Sequence, residues 1–220
     1  MASLARRLAA EGLGTAFLLA AIIGSGIMAQ RLAGGNLALA LLCNTLPTGA
    51  MLTVLILTFG PISGAQLNPA VSLVAAFRRD LIWRDAATYI AAQICGAFVG
   101  VWAAHAMFEL PLLQTSVTTR SGWGQWLAEF IATFGLVLTV LGCGAVARNA
   151  VAYAVGLYIV AAYWFTASTS FANPAVTIAR SVSDTFAGIA PAGIAAFLLF
   201  QFGGALMAYA AARWLWPRDS

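Results

Sequence analysis

Three landmarks occur twice in this chain, in the same order. Glu11-x-x-x-Thr15, Asn68-Pro69-Ala70-Val71 and Gln93-x-x-Gly96-Ala97 in the first half are matched in the second by Glu129-x-x-x-Thr133, Asn173-Pro174-Ala175-Val176 and Gln201-x-x-Gly204-Ala205. The spacings are 57 and 25 residues in one half and 44 and 28 in the other. Such self-similarity means that one supersecondary unit is used twice. Hydropathy says what the unit is. Six apolar stretches, 12–29, 37–59, 86–107, 126–146, 150–165 and 192–215, approach or reach the roughly 20 residues that a helix needs to cross a bilayer. Three fall in each half. Because three is odd, the halves lie in the membrane with opposite orientation, as an inverted repeat.

Composition supports a membrane setting. The chain is 62% hydrophobic and 8% charged, against about 25% charged residues in a soluble domain. This excludes disorder and a solvated enzyme domain. The net charge of +4 does not mark a nucleic-acid binder, because all eleven basic residues are arginines lying between apolar runs rather than along one face. With the N-terminus inside, the inner segments hold Arg6, Arg7, Arg78, Arg79, Arg84, Arg148, Arg213 and Arg218, and the outer ones only Arg31, Arg120 and Arg180. That bias places both termini in the cytoplasm. The first run is a retained span rather than a signal peptide: it contains Glu11, runs long and lacks a small-x-small cleavage site. Cys43, Cys95 and Cys143 lie inside apolar runs and read as small core residues, neither a metal set nor a disulfide set.

Two further apolar segments are too short to span. They start at Asn68 and Asn173, where Asn suits a helix cap and Pro the first turn. A short helix at membrane depth is tolerated only inside protein or along an aqueous path. The fold class is therefore an all-α membrane protein with six transmembrane helices and two half-helices in an inverted repeat.

With Ser63-Gly64-Ala65-Gln66-Leu67-Asn68-Pro69-Ala70-Val71 and the second Asn-Pro-Ala in place, the chain resembles the aquaporin and glycerol-facilitator family, the major intrinsic proteins, over about residues 8 to 215. The resemblance implies a single channel domain over 1–220 with repeats at 8–107 and 122–215, a right-handed six-helix bundle, one pore per subunit, a homotetramer in the inner membrane, and no enzyme activity, cofactor, metal or nucleic-acid partner. It implies a pore centred on Asn68, Pro69, Ala70, Asn173, Pro174 and Ala175. The two asparagines cap their half-helices and aim amide N–H groups at the path. Most family members carry Arg three residues after the second Asn; here that position is Val176. Gapless counting from the two asparagines puts the other constriction positions at Thr48, Ala161 and Ser170, so the resemblance implies a wide, arginine-free constriction.

Arg180 lies four residues beyond Val176, and two readings stand: it projects into the outer vestibule, or it pairs with Asp184 along a helix. Glu11 and Glu129, acids within spans, read as structural acceptors for the half-helix loops, with Gln93 and Gln201 in a related part. A proton relay would need further buried acids or histidines. His105, the single histidine, reads as a packed boundary residue, and Trp164 as an aromatic approaching the outer pore. The expected function is passive passage of small neutral solutes across the lipid bilayer: glycerol-like polyols or uncharged metalloid hydroxides such as arsenite, with water. The alternatives are a water-selective channel and a non-conducting structural member. A coupled transporter would need ion-binding acids at the midplane. An intramembrane serine protease would need a base partner for Ser25.

Overall fold

The computed structural model describes residues 2–217; Arg218 of the predicted inner set lies outside them. Eight α-helices follow one another: α1 (Leu4–Leu32), α2 (Leu37–Ser63), α3 (Pro69–Phe77), α4 (Trp83–Met107), α5 (Trp123–Val146), α6 (Val151–Phe165), α7 (Pro174–Ala179) and α8 (Ile194–Leu215). Their starts are written in side chains. Ser3 accepts from the Arg6 N–H, Asn36 from Leu39, Asn68 from Ala70, and Asn173 from both Ala175 and Val176. Five helices are long and apolar enough to cross a membrane. The sixth stretch is divided between a 3₁₀ turn, Arg148–Ala150, and the 15 residues of α6. At 1.5 Å per residue α6 covers only about 22 Å.

The two halves pack alike. α1 makes its most extensive contact with α4, as α5 does with α8. Small residues permit both approaches. A Cβ on Gly96 would meet the Gly12 carbonyl, and one on Gly204 the Phe130 carbonyl. Across the halves, Gly49 of α2 faces Gly156 of α6 in the same way. Each half-helix packs against its own half and also against the opposite one. Ala70 and Val74 of α3 pack with Val137, Leu141, Ala205 and Ala208 of α5 and α8, whereas Ala175 and Val176 of α7 pack with Leu18, Leu19 and Val101 of α1 and α4. The reciprocal docking brings the starts of α3 and α7 together in the interior.

Large apolar side chains such as Leu13, Leu57, Leu157 and Leu199 are exposed along the helices, as a lipid-facing surface requires. The cysteine expectation needs correction: Cys43 and Cys95 are exposed and Cys143 only half-buried. Lipid is as apolar as a protein core, so a small apolar residue within a span can face either way.

Candidate functional site

The loops entering the half-helices are built alike and under strain. At three residues and at one residue before each Asn the backbone is left-handed without glycine: Ala65 (φ 45°) and Leu67 (φ 50°) in one half, Ser170 (φ 51°) and Ala172 (φ 48°) in the other. Such a conformation persists only where its surroundings over-determine it. The buried acids supply that restraint. Glu11 accepts from the Ser63 hydroxyl (2.6 Å), the Gln66 and Leu67 N–H groups (3.0 and 2.7 Å) and Gln93 Nε2 (2.8 Å). Glu129 accepts from the Phe171 and Ala172 N–H groups (both 2.9 Å) and from Gln201 Nε2 (2.6 Å). Each glutamine also donates into its half-helix, Gln93 to Ser72 and Gln201 to Thr177.

At the centre the two asparagines reach across to one another's loops. Asn68 Nδ2 donates to the Ala172 carbonyl at 2.8 Å, and Asn173 Nδ2 to the Leu67 carbonyl at the same distance. Their Oδ1 atoms cap α3 and α7. The sequence predicts both amide N–H groups to be turned to the path. The structure spends one of the two on locking the loops together and leaves one per amide, since an amide nitrogen carries two hydrogens.

Both asparagines line a single cavity of about 450 Å³. It runs from Arg78, Asp80 and Arg148, on the side of the bundle where α1 starts and α8 ends, past Val71, Val137 and Ile56 to Thr48, Tyr163, Ser170, Val176 and Arg180 on the opposite side. Between the charged ends the wall is largely apolar, so a passing solute meets few fixed partners.

Thr48, Ser170 and Val176 lie together in this wall, each about 2% exposed. Ala161 does not. It is exposed on the outer surface of α6, and the cavity is lined by Val155, Ile159 and Tyr163 instead. These three recur every four residues along one face, and Ala161, two residues from Tyr163, is turned roughly 200° away at 3.6 residues per turn. Gapless counting back from Asn173 therefore lands on an outward-facing residue, with Ile159 and Tyr163, two residues to either side, in the cavity wall. Trp164, the aromatic expected near the pore, is also turned outward at 49% exposure.

Arg180 decides between its two readings. It is 1% exposed and lines the cavity. Its Nε donates to the Ala187 carbonyl, its Cζ lies 3.4 Å from the Phe171 ring centroid, and its Nη1 is buried without a hydrogen-bond partner. Asp184 instead accepts from the Val117 N–H. Val176 thus brings no charge to the wall, and Arg180, one turn further on, stands in the same cavity.

The sequence offered no sign of the support beneath Arg180. Arg120, from the loop between α4 and α5, lies over the Phe171 ring at 4.9 Å and donates to the carbonyls of Gly188 and Ser168 (2.9 and 3.1 Å). Burial lowers its pKa from the ordinary guanidinium value, with attraction to Glu129 opposing. His105, fully buried at the end of α4, ties Leu112 O to Ser183 Oγ (3.2 and 2.9 Å). The carbonyl requires Nδ1–H, so Nε2 accepts from the serine when the ring is neutral. Among the described residues no group of three or more His, Cys, Asp or Glu has metal-ligand geometry.

Residues 1–149 match the family model described as Major intrinsic protein. The chain belongs to the major intrinsic protein family. Members are passive membrane channels rather than enzymes. Within the family, the chain is 54% identical over 212 residues to "Aquaglyceroporin AqpS" of Rhizobium meliloti, covering 96% of this chain and 91% of that protein. It is 35% identical over 140 residues to "Aquaporin NIP6-1" of Arabidopsis thaliana, which covers 63% of this chain and 45% of the relative. Among solved structures, the aquaglyceroporin from Plasmodium falciparum superposes with a TM-score of 0.70 at 24% identity, covering 94% of this chain and 95% of the other. That likeness concerns the fold.

Proposed function

We propose that this chain is a passive, bidirectional channel for small neutral hydroxylated solutes, carrying glycerol-like polyols and uncharged metalloid hydroxides such as arsenous acid together with water. One observation carries the reading: the half-helix starts meet through reciprocal Asn68 and Asn173 bonds in the wall of a single cavity. Each half-helix N-terminus is equivalent to about half a positive elementary charge. A cation entering there meets two such ends and no carboxylate ring to replace its water, the general basis of exclusion in aquaporin-type pores. A neutral solute offers hydroxyl oxygens to the remaining amide N–H groups and slips along the apolar wall. The name of the Rhizobium relative, an aquaglyceroporin, supports a solute larger than water.

In this reading the specificity region comprises Thr48, Ser170, Val176, Tyr163 and Arg180. Val176 widens the path where the family arginine would stand, and Arg180 restores a donor one turn further out. Glu11 and Glu129 are structural. The chain is one channel domain over 1–220, with repeats at 8–107 and 122–215, placed as a homotetramer in the inner membrane with both termini cytoplasmic. Stopped-flow light scattering on proteoliposomes, with water, glycerol, urea and arsenous acid in parallel, tests the assignment. Glycerol and arsenous acid should equilibrate well above empty liposomes. Fast water with background solute flux would leave a water-selective channel instead.

A further inference from the structure

The outer half of the cavity is electrically lopsided. Two guanidinium groups, Arg180 and Arg120, lie against the Phe171 ring at 3.4 and 4.9 Å. Among the described residues neither forms an ion pair: the two salt bridges found there join Arg7 to Asp85 and Arg78 to Asp80. The one carboxylate nearby, Glu129, has its oxygens committed to Phe171, Ala172 and Gln201. The end of α7, where Arg180 sits as the C-cap, contributes only partial negative charge. A buried cation is normally paired, and among the described residues Arg180 has no carboxylate partner.

Two buried polar atoms in the same cavity wall also lack partners: Arg180 Nη1 and Ser170 Oγ, on residues 1% and 2% exposed. An N–H donor fixed by a stacked guanidinium and a hydroxyl free to donate, both on residues of one cavity wall, make the kind of donor set that a small oxyanion satisfies. We infer that this pocket binds a small monovalent oxyanion, such as a one- or two-carbon carboxylate, at Arg180 and Ser170, and that the bound anion obstructs neutral-solute flux.

The inference rests on the channel reading for its flux arm but not for its binding arm. Glycerol flux into proteoliposomes is measured against rising methanesulfonate, which stays ionised and so does not cross the lipid as a neutral acid, and against formate. Ionic strength is held constant with a bulky sulfonate. Half-inhibition is expected at roughly 10 mM, the range of one charge-assisted contact set, so that about 100 mM lowers flux about tenfold. The bulky sulfonate should not inhibit. In R180Q the methanesulfonate dose response should be flat whatever the basal flux, and in S170A it should shift to about threefold higher concentration. Thermal unfolding of the purified protein supplies the second readout: methanesulfonate should raise the melting midpoint of the wild type but not of R180Q. If glycerol flux is absent while the midpoint still rises, the channel reading fails and the anion site stands. An unaltered midpoint together with anion-independent flux overturns the site, as does inhibition that persists in R180Q.

Discussion

Replacing Glu129 by Gln changes one oxygen to an NH2 group and leaves shape and volume almost intact, so it isolates the hydrogen-bond role of the carboxylate. The two oxygens receive three buried donors, Phe171 N–H on Oε1 and Ala172 N–H with Gln201 Nε2 on Oε2. A glutamine can keep an acceptor toward only one side. If its oxygen serves Ala172 and Gln201, its NH2 opposes Phe171; in the other orientation two donors are opposed. Each buried donor left unmatched costs about 1–3 kcal/mol, and the lost charge weakens the bonds that remain. Releasing a loop held in left-handed conformation at Ser170 and Ala172 then becomes favourable. The expected total is about 2–6 kcal/mol, which at about 2–4 °C per kcal/mol for a chain of this size lowers the melting midpoint by about 4–24 °C. Glu11→Gln should cost a similar amount, about 2–6 kcal/mol, because the Ser63 hydroxyl can turn to accept from the new NH2 but the Gln66 N–H on the same oxygen is still opposed. The assay is thermal unfolding of both purified variants in the same detergent, alongside glycerol flux after reconstitution. An E129Q or E11Q protein as stable as wild type would refute the view that these acids clamp the half-helix loops.

Four further outcomes follow from the same geometry. Val176→Arg places a second guanidinium four residues before Arg180 on the same cavity wall, so glycerol permeability should fall severalfold more than water permeability in stopped-flow measurements. Tyr163→Ala should raise the flux of large solutes relative to water, whereas Ala161→Leu, on the outer surface, should leave the ratio unchanged; the reverse pattern would restore the gapless alignment. Gly96→Ala drives a methyl group into the Gly12 carbonyl, and overpacking of this kind costs about 1–3 kcal/mol, read as a lowered melting midpoint. Asn173→Asp keeps an N-cap acceptor but loses the donor to Leu67 O, so ionic conductance across planar bilayers should rise as a negative charge enters the pore centre.

The parts of this fold that the sequence disclosed are those encoded locally. Asn followed by Pro starts a helix wherever it stands, and an apolar run of a given length must be a helix in lipid. The two acids were conspicuous because each is the single acid of its helix. Features that depend on chain trajectory were hidden. The pairing of Arg180 with Asp184 assumed that the helix continues, but α7 ends at Ala179 and a 3₁₀ turn, Arg180–Val182, follows. Four residues then no longer return to the same face. The miss at Ala161 arose in the same way, from counting across a loop whose length is not set in helical steps. The Arg120–Phe171–Arg180 stack joins residues 51 and 9 apart, and only the folded chain brings them together.

Simultaneous recording of glycerol flux and membrane potential in the same proteoliposomes tests most directly whether the junction of the two half-helices is a path for uncharged molecules. Rapid glycerol equilibration across an unchanged, ion-tight potential is the predicted result, with that equilibration lost when Asn68 and Asn173 are both replaced by bulky apolar residues. Glycerol movement no faster than in protein-free vesicles, or movement that collapses the potential, would contradict it.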